Sequence, residues 1–305
     1  MKYPTADRFR TALEDRLRRQ AREGGLPLTR LRKDVVFDRL LARLLIAAPE
    51  RWILKGGLAL DYRLGDRART TKDMDLGRQD DTATATADLM AAAALDLGDY
   101  FRYVIEQSDV LSGLHDGAAV RYRVHAELAG RTFEHVTVDI GFDAPTVYAV
   151  EFVRGRGLLD FADLESPLVP AIPLTYHVAE KVHAYTRSYS AGGRESTRVK
   201  DLVDLVLIAT DRATSLTAGA LRGALDDTFT RRATHRLPRA IPRPPQAWTV
   251  PYRKIATEVS LDTAIAAGHT CAVVFLDPVL TGTCAPWAVW QAEAMTWSAD
   301  DLPAD

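Results

Sequence analysis

The chain has 305 residues, 47% hydrophobic and 26% charged, enough for one large core or two modest ones. Its net charge of −2 sets up no global basic field, so any contact with nucleic acid must use a local patch. Two isolated cysteines, Cys271 and Cys284, support neither a disulfide framework nor a zinc cluster; no run approaches a membrane span and no apolar signal core opens the chain, so a cytoplasmic location is expected.

Residues 4–23 place Phe9, Leu13 and Leu17 on one side of a helix that Gly24-Gly25 stops. A second helix is predicted from Thr29 to Ala48, with Leu31, Val35, Leu40, Leu41, Leu44 and Leu45 on its apolar face and Pro49 ending it. Trp52-Ile53-Leu54 reads as a short buried strand, broken by Lys55-Gly56-Gly57. Helical spacing follows over 58–64, then a basic loop with Arg67, Arg69 and Lys72 around Thr70-Thr71, closing on Asp73-Met74-Asp75-Leu76. In a strand, Asp73 and Asp75 point the same way, about 7 Å apart, and can share a divalent ion. A glycine pair ahead of a helix lets backbone N–H groups approach a phosphate, and the helix N-terminus favours its charge. A lone Gly-Gly is ordinarily a turn and a lone Asp-x-Asp a solvated strand end. Their order here, strand–GG–helix–loop–DxD, is that of metal-assisted nucleotidyl transfer.

An Ala-rich helix is expected from Thr84 to Leu97 and a strand from Phe101 to Ile105. Residues 120–128 alternate, with Val120, Tyr122, Val124, Ala126 and Leu128 on one face and Arg121, Arg123, His125 and Glu127 on the other. Ala129-Gly130 turns into a return strand, Phe133 to Ile140, whose polar face carries His135, Thr137 and Asp139. Residues 143–173 are rich in proline and read as loop, so the domain boundary is placed there, at 155/156. Leu174 to Arg187 is a helix with His177 and Lys181 four apart on one face; Ser188 to Thr197, with Gly192-Gly193, reads as a loop. Arg198 opens the next helix, on which Asp201 and Asp204 share a face. A helix over 217–228 follows. Thr230 to Pro245 then carries Arg231, Arg232, Arg236, Arg239 and Arg243 with no acidic residue and is predicted to be extended. It is either a solvated arm or a contact for RNA phosphate, with Trp248 and Tyr252 as stacking partners for a base. A helix over 259–267 and a tryptophan-rich end (Trp287, Trp290, Trp297) complete the chain.

Residues 33–76, from Lys33-Asp34 through Leu54-Lys55-Gly56-Gly57 to Thr70-Thr71-Lys72-Asp73-Met74-Asp75-Leu76, resemble the AbiEii/AbiGii nucleotidyltransferase-like toxins of type IV toxin–antitoxin and abortive-infection systems. The resemblance resumes at His177-Val178-Ala179-Glu180-Lys181 and at Arg198-Val199-Lys200-Asp201-Leu202-Val203-Asp204. It implies an α/β (α+β) nucleotidyltransferase core over 1–155, a mixed sheet flanked by helices, and a mostly helical C-terminal lobe over 156–305 that completes the cleft. It also implies a cytoplasmic, monomeric enzyme that moves a nucleoside monophosphate from a nucleoside triphosphate to an acceptor, foremost an RNA such as the 3′ end of tRNA. A cognate antitoxin encoded nearby would control it, in some relatives by modifying a hydroxyl such as Thr70 or Thr71.

On that reading Asp73, Asp75 and Asp139 hold Mg²⁺, or Mn²⁺ in its place; Asp139 as an ordinary exposed strand aspartate is the other reading. Gly56, Gly57 and Thr71 contact the triphosphate, Lys55, Arg67 and Arg69 neutralise it, and Lys181 holds its outer phosphates. Asp201 and Asp204 position Lys181 or a ribose, and neither Asp139 nor Asp201 is singled out as general base. Many nucleotidyltransferases carry Gly-Ser where this chain has Gly56-Gly57, which moves the hydroxyl role to Thr70 or Thr71. The alternatives are transfer to a small molecule or a protein hydroxyl, which makes the arginines incidental, and a catalytically silent nucleotide- or antitoxin-binding module.

Overall fold

The computed structural model describes residues 1–110, 119–142, 150–187 and 198–299. They fall into two compact units, one within residues 1–66 and 70–172, the other comprising 67–69 and the chain from Pro173 onward.

The first unit opens on α1 (Ala6–Gly24), capped by the Thr5 hydroxyl and closed by Gly25 at φ +65°; it buries Phe9, Leu13 and Leu17, the predicted stripe. α2 (Leu28–Ala47) is buried along most of its length. Then come β1 (Ile53–Lys55), α3 (Gly56–Leu64), β2 (Asp73–Gly77), α4 (Thr82–Ala94), β3 (Phe101–Val110), β4 (Ala119–Leu128), β5 (Arg131–Gly141), β6 (Glu151–Arg154) and β7 (Leu168–Ala171). The strands form one mixed seven-stranded sheet in the order β3-β4-β5-β2-β1-β7-β6. β2 runs antiparallel to β1 and parallel to β5. α2 packs on β5 and α4 on β3, over a core of Met74, Leu76, Tyr122, Val124, Val138 and Ile140. Because side chains alternate across the sheet, Asp73, Asp75, Thr137, Asp139, Arg121 and Arg123 all project from the opposite face.

The sheet continues past the expected boundary at 155. β7 lies parallel to β1, the Ile172 amide donates to the Leu54 carbonyl (2.9 Å), and β6 pairs with β7, so the first unit ends at Ile172. Pro170 inside β7, with Pro167 and Pro173 flanking it, hides that four-residue strand from a reading of sequence, because proline argues against a strand interior.

The second unit contains α5 (Leu174–Thr186), α6 (Val199–Ala209), α7 (Ala218–Arg232), α8 (Thr249–Glu258), α9 (Ile265–Thr281) and a small hairpin of β8 (Val289–Gln291) and β9 (Thr296–Ser298). α6 is buried on nearly every side. The predicted loop over 188–197 lies outside the described residues. The predicted helix over 259–267 is corrected: most of that interval is the connection between α8 and α9, where Ser260 takes φ +55° and the Asp262 carboxylate accepts from the Ala264 amide (2.8 Å). Trp290 packs against both Phe275 and Trp297, which stack on each other, and donates to the Ala209 carbonyl, whereas Trp287 is exposed.

One buried ionic cluster of the first unit makes its stability depend on pH. Asp34 and Asp61 lie among Arg30 and Arg156, with Asp38 beside Arg39. Burial, then the charge of Asp61, pushes the Asp34 carboxyl up to about 7 against the pull of Arg156 and Arg30; burial pushes Asp38 up to about 6. A carboxyl raised above its ordinary value near 3.9 stabilises the fold fully below that pH, and this contribution is lost as pH rises through the folded value. Asp34→Asn should therefore raise stability, relative to wild type, by about 1–2 kcal/mol more at pH 8 than at pH 5. Denaturant unfolding at the two pH values measures it, and an equal effect at both would refute it.

Candidate functional site

The register of four strands builds the centre of the first unit's open face. Lys55 pairs with Asp75, Asp75 with Asp139, and Asp139 with Arg121, so one transverse row runs Lys55–Asp75–Asp139–Arg121 across β1, β2, β5 and β4. The next row runs Asp73–Thr137–Arg123. Two acids and two bases thus alternate in sign only at the ends, and the two acids are neighbours on adjacent strands. The Arg121 guanidinium grips Asp139 with both arms, Nε to Oδ1 at 2.7 Å and Nη2 to Oδ2 at 2.6 Å. That bond, with the charges of Asp139, Asp73 and Asp75, holds the guanidinium above its ordinary pKa despite partial burial. Asp73 and Asp75 are half-buried, and the Asp73 carboxylate makes no hydrogen bond or salt bridge among the described residues.

α3 begins directly on Gly56, not two residues later as the glycine pair suggested. Gly56 takes φ +61°, and a Cβ there would lie 1.8 Å from Asp75 Oδ2. Only glycine lets the chain turn from β1 into α3 while its backbone passes this close to a carboxylate. The Lys55 side chain does not cap the first turn of α3. Lys55 is itself buried. Thr71 is buried too, its hydroxyl donating to the Asp73 carbonyl (3.1 Å), which braces the entry to β2.

The second unit brings together a different set. Lys181, on α5, is buried between Asp201 (3.2 Å) and Asp204 (2.8 Å) of α6. Arg69 approaches Asp204 from its other side with two bonds, Nε at 2.8 Å and Nη2 at 2.9 Å. Burial alone would raise the Asp204 carboxyl, but Lys181 and Arg69 outweigh it and hold it down at about 2. Burial likewise opposes the charge on Lys181, and Asp204 and Asp201 raise its pKa on balance. Arg67 donates to Asp211 and Thr210. The predicted phosphate neutralisers Arg67 and Arg69 thus both engage α6 or the residues just after it. His177, one turn before Lys181, is buried.

The basic stretch is not one extended arm. Arg231 and Arg232 form the last turn of α7, where Arg231 meets Asp227 and Arg232 meets Glu180, because helical spacing continues to Arg232 and partners lie within reach. Residues 233–245 follow without regular structure but are strapped down: Tyr185 donates to the Pro242 carbonyl (2.7 Å), the Ile241 amide to Asp277 (2.8 Å), and His183 hydrogen-bonds Thr234 (2.8 Å). Arg236, Arg239 and Arg243 remain exposed. Trp248 and Tyr252, expected to stack a base, are 3% and 0% exposed and belong to the interior.

The residue that sequence reasoning passed over is Arg121. Alternation put it on the polar face of β4, but nothing in that pattern paired it with Asp139. Asp73 and Asp75 suit Mg²⁺, which keeps several waters and needs few carboxylates. Among the described residues no group of three possible ligands is arranged around one point, and Asp139, the expected third, has both oxygens on Arg121.

No curated protein matches the chain. Among solved structures it is similar to MenT4, a nucleotidyltransferase toxin from Mycobacterium tuberculosis H37Rv, at 18% identity and TM-score 0.52, covering 88% of this chain and 98% of that one. It also matches JHP933 from Helicobacter pylori at 15% identity and TM-score 0.40, covering 79% and 93%. The first likeness is one of fold. The family model described as nucleotidyl transferase AbiEii toxin, type IV TA system, matches residues 39–267, a span that runs from before the Gly56–Asp75 segment to beyond the Lys181/Asp204 cluster. The chain belongs to the AbiEii nucleotidyltransferase toxin family of type IV toxin–antitoxin systems.

Proposed function

We propose that the protein transfers a nucleoside monophosphate from a nucleoside triphosphate to RNA, at the 3′ end of a tRNA, in a Mg²⁺-dependent reaction of the EC 2.7.7 type that Mn²⁺ also supports. The observation that carries this reading is the Asp73/Asp75 pair set against Gly56, where β1 turns into α3. A divalent ion held by Asp73 and Asp75 supplies charge neutralisation at the reacting phosphate. The chain's own groups do the rest. Backbone amides at Gly56 and Gly57 bind phosphate oxygens at a helix N-terminus, and Lys55 adds a positive charge beside Asp75. In the second unit, Lys181 serves the nucleotide as a point charge oriented by Asp201 and Asp204. Arg69 offsets Asp204, so that Lys181 is not wholly neutralised by the two acids. A monomer suffices for this chemistry, and blocked growth or blocked phage propagation would be its outcome. The antitoxin acts on this toxin either by modifying Thr70 or Thr71 or by a route that needs no stable complex. A phosphate on Thr71 would bring about two negative charges beside Asp73 and would first have to break the hydroxyl's bond to the Asp73 carbonyl.

Incubation with each labelled triphosphate, Mg²⁺ and total RNA or total protein tests the reading by which fraction becomes labelled. Labelled RNA supports it; labelled protein or small molecules alone move the acceptor to the alternative class; no labelling at all makes the protein a binding module. The RNA contact is assigned to the exposed Arg236, Arg239 and Arg243. Phosphate contacts carry no base information, so replacing these three by alanine should weaken transfer to all RNAs alike and lower the salt slope by about one unit per lost contact. The same replacement of Arg231 and Arg232, which already have acidic partners, should change the slope less. An unchanged slope in the Arg236/Arg239/Arg243 variant would leave that segment an ordinary solvated surface.

A further inference from the structure

We propose that Arg121 is the resident counter-ion of the Asp73, Asp75 and Asp139 carboxylates and competes with a divalent cation for them, so that loading the site requires the guanidinium to leave Asp139. The inference rests on the metal reading given above, and its test separates the two.

The competition follows from register and valence. Asp75 and Asp139 are directly paired on adjacent strands, which puts their Cα atoms about 5 Å apart, and Asp73 stands two residues along the same face. Three like charges so placed repel one another unless a cation stands among them. The chain supplies two, Lys55 paired with Asp75 at one end of the row and Arg121 paired with Asp139 at the other; both oxygens of Asp139 accept from Arg121, and the charges of Asp73 and Asp75 also act on it. The guanidinium fork takes one lone pair on each Asp139 oxygen and sets its positive charge against both, so a small cation that demands near-ideal geometry meets like charge at this carboxylate while Arg121 is in place. A divalent ion and Arg121 are therefore alternative ligands of Asp139.

The exchange is mechanically cheap. The Arg121 side chain is 39% exposed, on a flexible stem at the surface, so it can swing off Asp139 without disturbing the core beneath β4. A lysine could not reproduce the fork, since an ammonium is a point charge and cannot span both oxygens at once. The device gives the protein a metal-free state in which the acidic row is neutralised, and it sets the cation concentration at which that state gives way.

The measurement is Mn²⁺ affinity of the full-length protein without nucleotide, by loss of the free-ion electron paramagnetic resonance signal, for wild type, Arg121→Gln, Arg121→Lys and Asp73→Asn. Arg121→Gln should bind Mn²⁺ about tenfold more tightly, as expected when one charge-assisted competitor is removed, with Arg121→Lys in between. Asp73→Asn should lose most of its affinity. Thermal unfolding gives a second readout: Arg121→Gln should melt below wild type without metal and gain more on saturation with Mn²⁺. Unchanged or weaker Mn²⁺ binding in Arg121→Gln, with Asp73→Asn defective, would overturn the competition and leave the metal reading standing; it would make Arg121 a support for Asp139 instead. Wild-type affinity in Asp73→Asn would overturn the metal reading itself. Should Arg121→Gln fail to fold by circular dichroism, Arg121→Lys, which keeps the charge, decides by the same criterion.

Discussion

Replacing Asp73 or Asp75 by alanine should reduce nucleotidyl transfer by at least about 10³-fold, since loss of a metal-binding carboxylate forfeits several kcal/mol of charge stabilisation and each 1.36 kcal/mol is a factor of ten in rate. The fold should survive. Asp73 carries no hydrogen bond or salt bridge among the described residues, and each carboxylate has another on the same sheet face as a near neighbour, so stability should change by no more than about 1 kcal/mol. A label-transfer assay with Mg²⁺ as the only divalent ion, paired with thermal unfolding, measures both numbers. Transfer near the wild-type rate in either variant would remove the assigned site. A variant that loses transfer only because it unfolds would show it in the melt.

Lys181→Met should have the opposite profile, losing both transfer and stability. Its ammonium sits between two carboxylates that are almost wholly buried, and removing one partner of a buried pair ordinarily costs about 3–5 kcal/mol. Arg69 keeps its two bonds to Asp204, which brings the expected loss to about 2–4 kcal/mol. The pH dependence identifies the cause. Asp204 is held down at about 2, so its contribution to stability is present above the ordinary carboxylate range and is lost as pH falls toward 2. The deficit of Lys181→Met should therefore be largest above pH 4 and shrink in acid. Adding Asp204→Asn to Lys181→Met should recover part of the stability but none of the transfer. A deficit that stayed constant from pH 7 to pH 3 would mean that packing of the lysine stem, and not the charge cluster, is what the substitution removes.

Arg121 and Asp139 meet because of one extra residue. The two-residue turn at Ala129-Gly130, both at positive φ, pairs Leu128 with Arg131. Carried on without interruption, that register would set Arg121 opposite Val138, a polar side chain against a core one. The pairing slips between Ala126 and Glu127, so that Glu127 faces Thr132 while Ala126 faces Glu134 and Phe133 is the extra residue. Phe133 then turns into the core along with Val136, Val138 and Ile140, and every polar position of β4 meets a polar position of β5. The bulge satisfies two local demands, a tight turn and a buried face, that conflict at an unbroken register.

What the amino-acid sequence determined by itself is what depends on neighbours along the chain. Apolar spacing determined the helices over Phe9–Leu17 and Leu174–Tyr185, alternation put Asp73 and Asp75 on one face, and Gly56-Gly57 marked the turn that only glycine can make beside Asp75. The order of those pieces was enough to reach the family. The tertiary structure decided the pairings between distant segments. Arg69 lies 135 residues from Asp204, and Arg121 lies 18 from Asp139 across a bulge. It also placed Trp248 and Tyr252 in the interior and drew β6 and β7 into the first sheet. The physical reason is range. Helical and strand periodicity act over a few residues and leave a trace in each window of sequence. An ion pair between remote segments, or a short strand added to a sheet edge, is set by which surfaces the whole chain brings together.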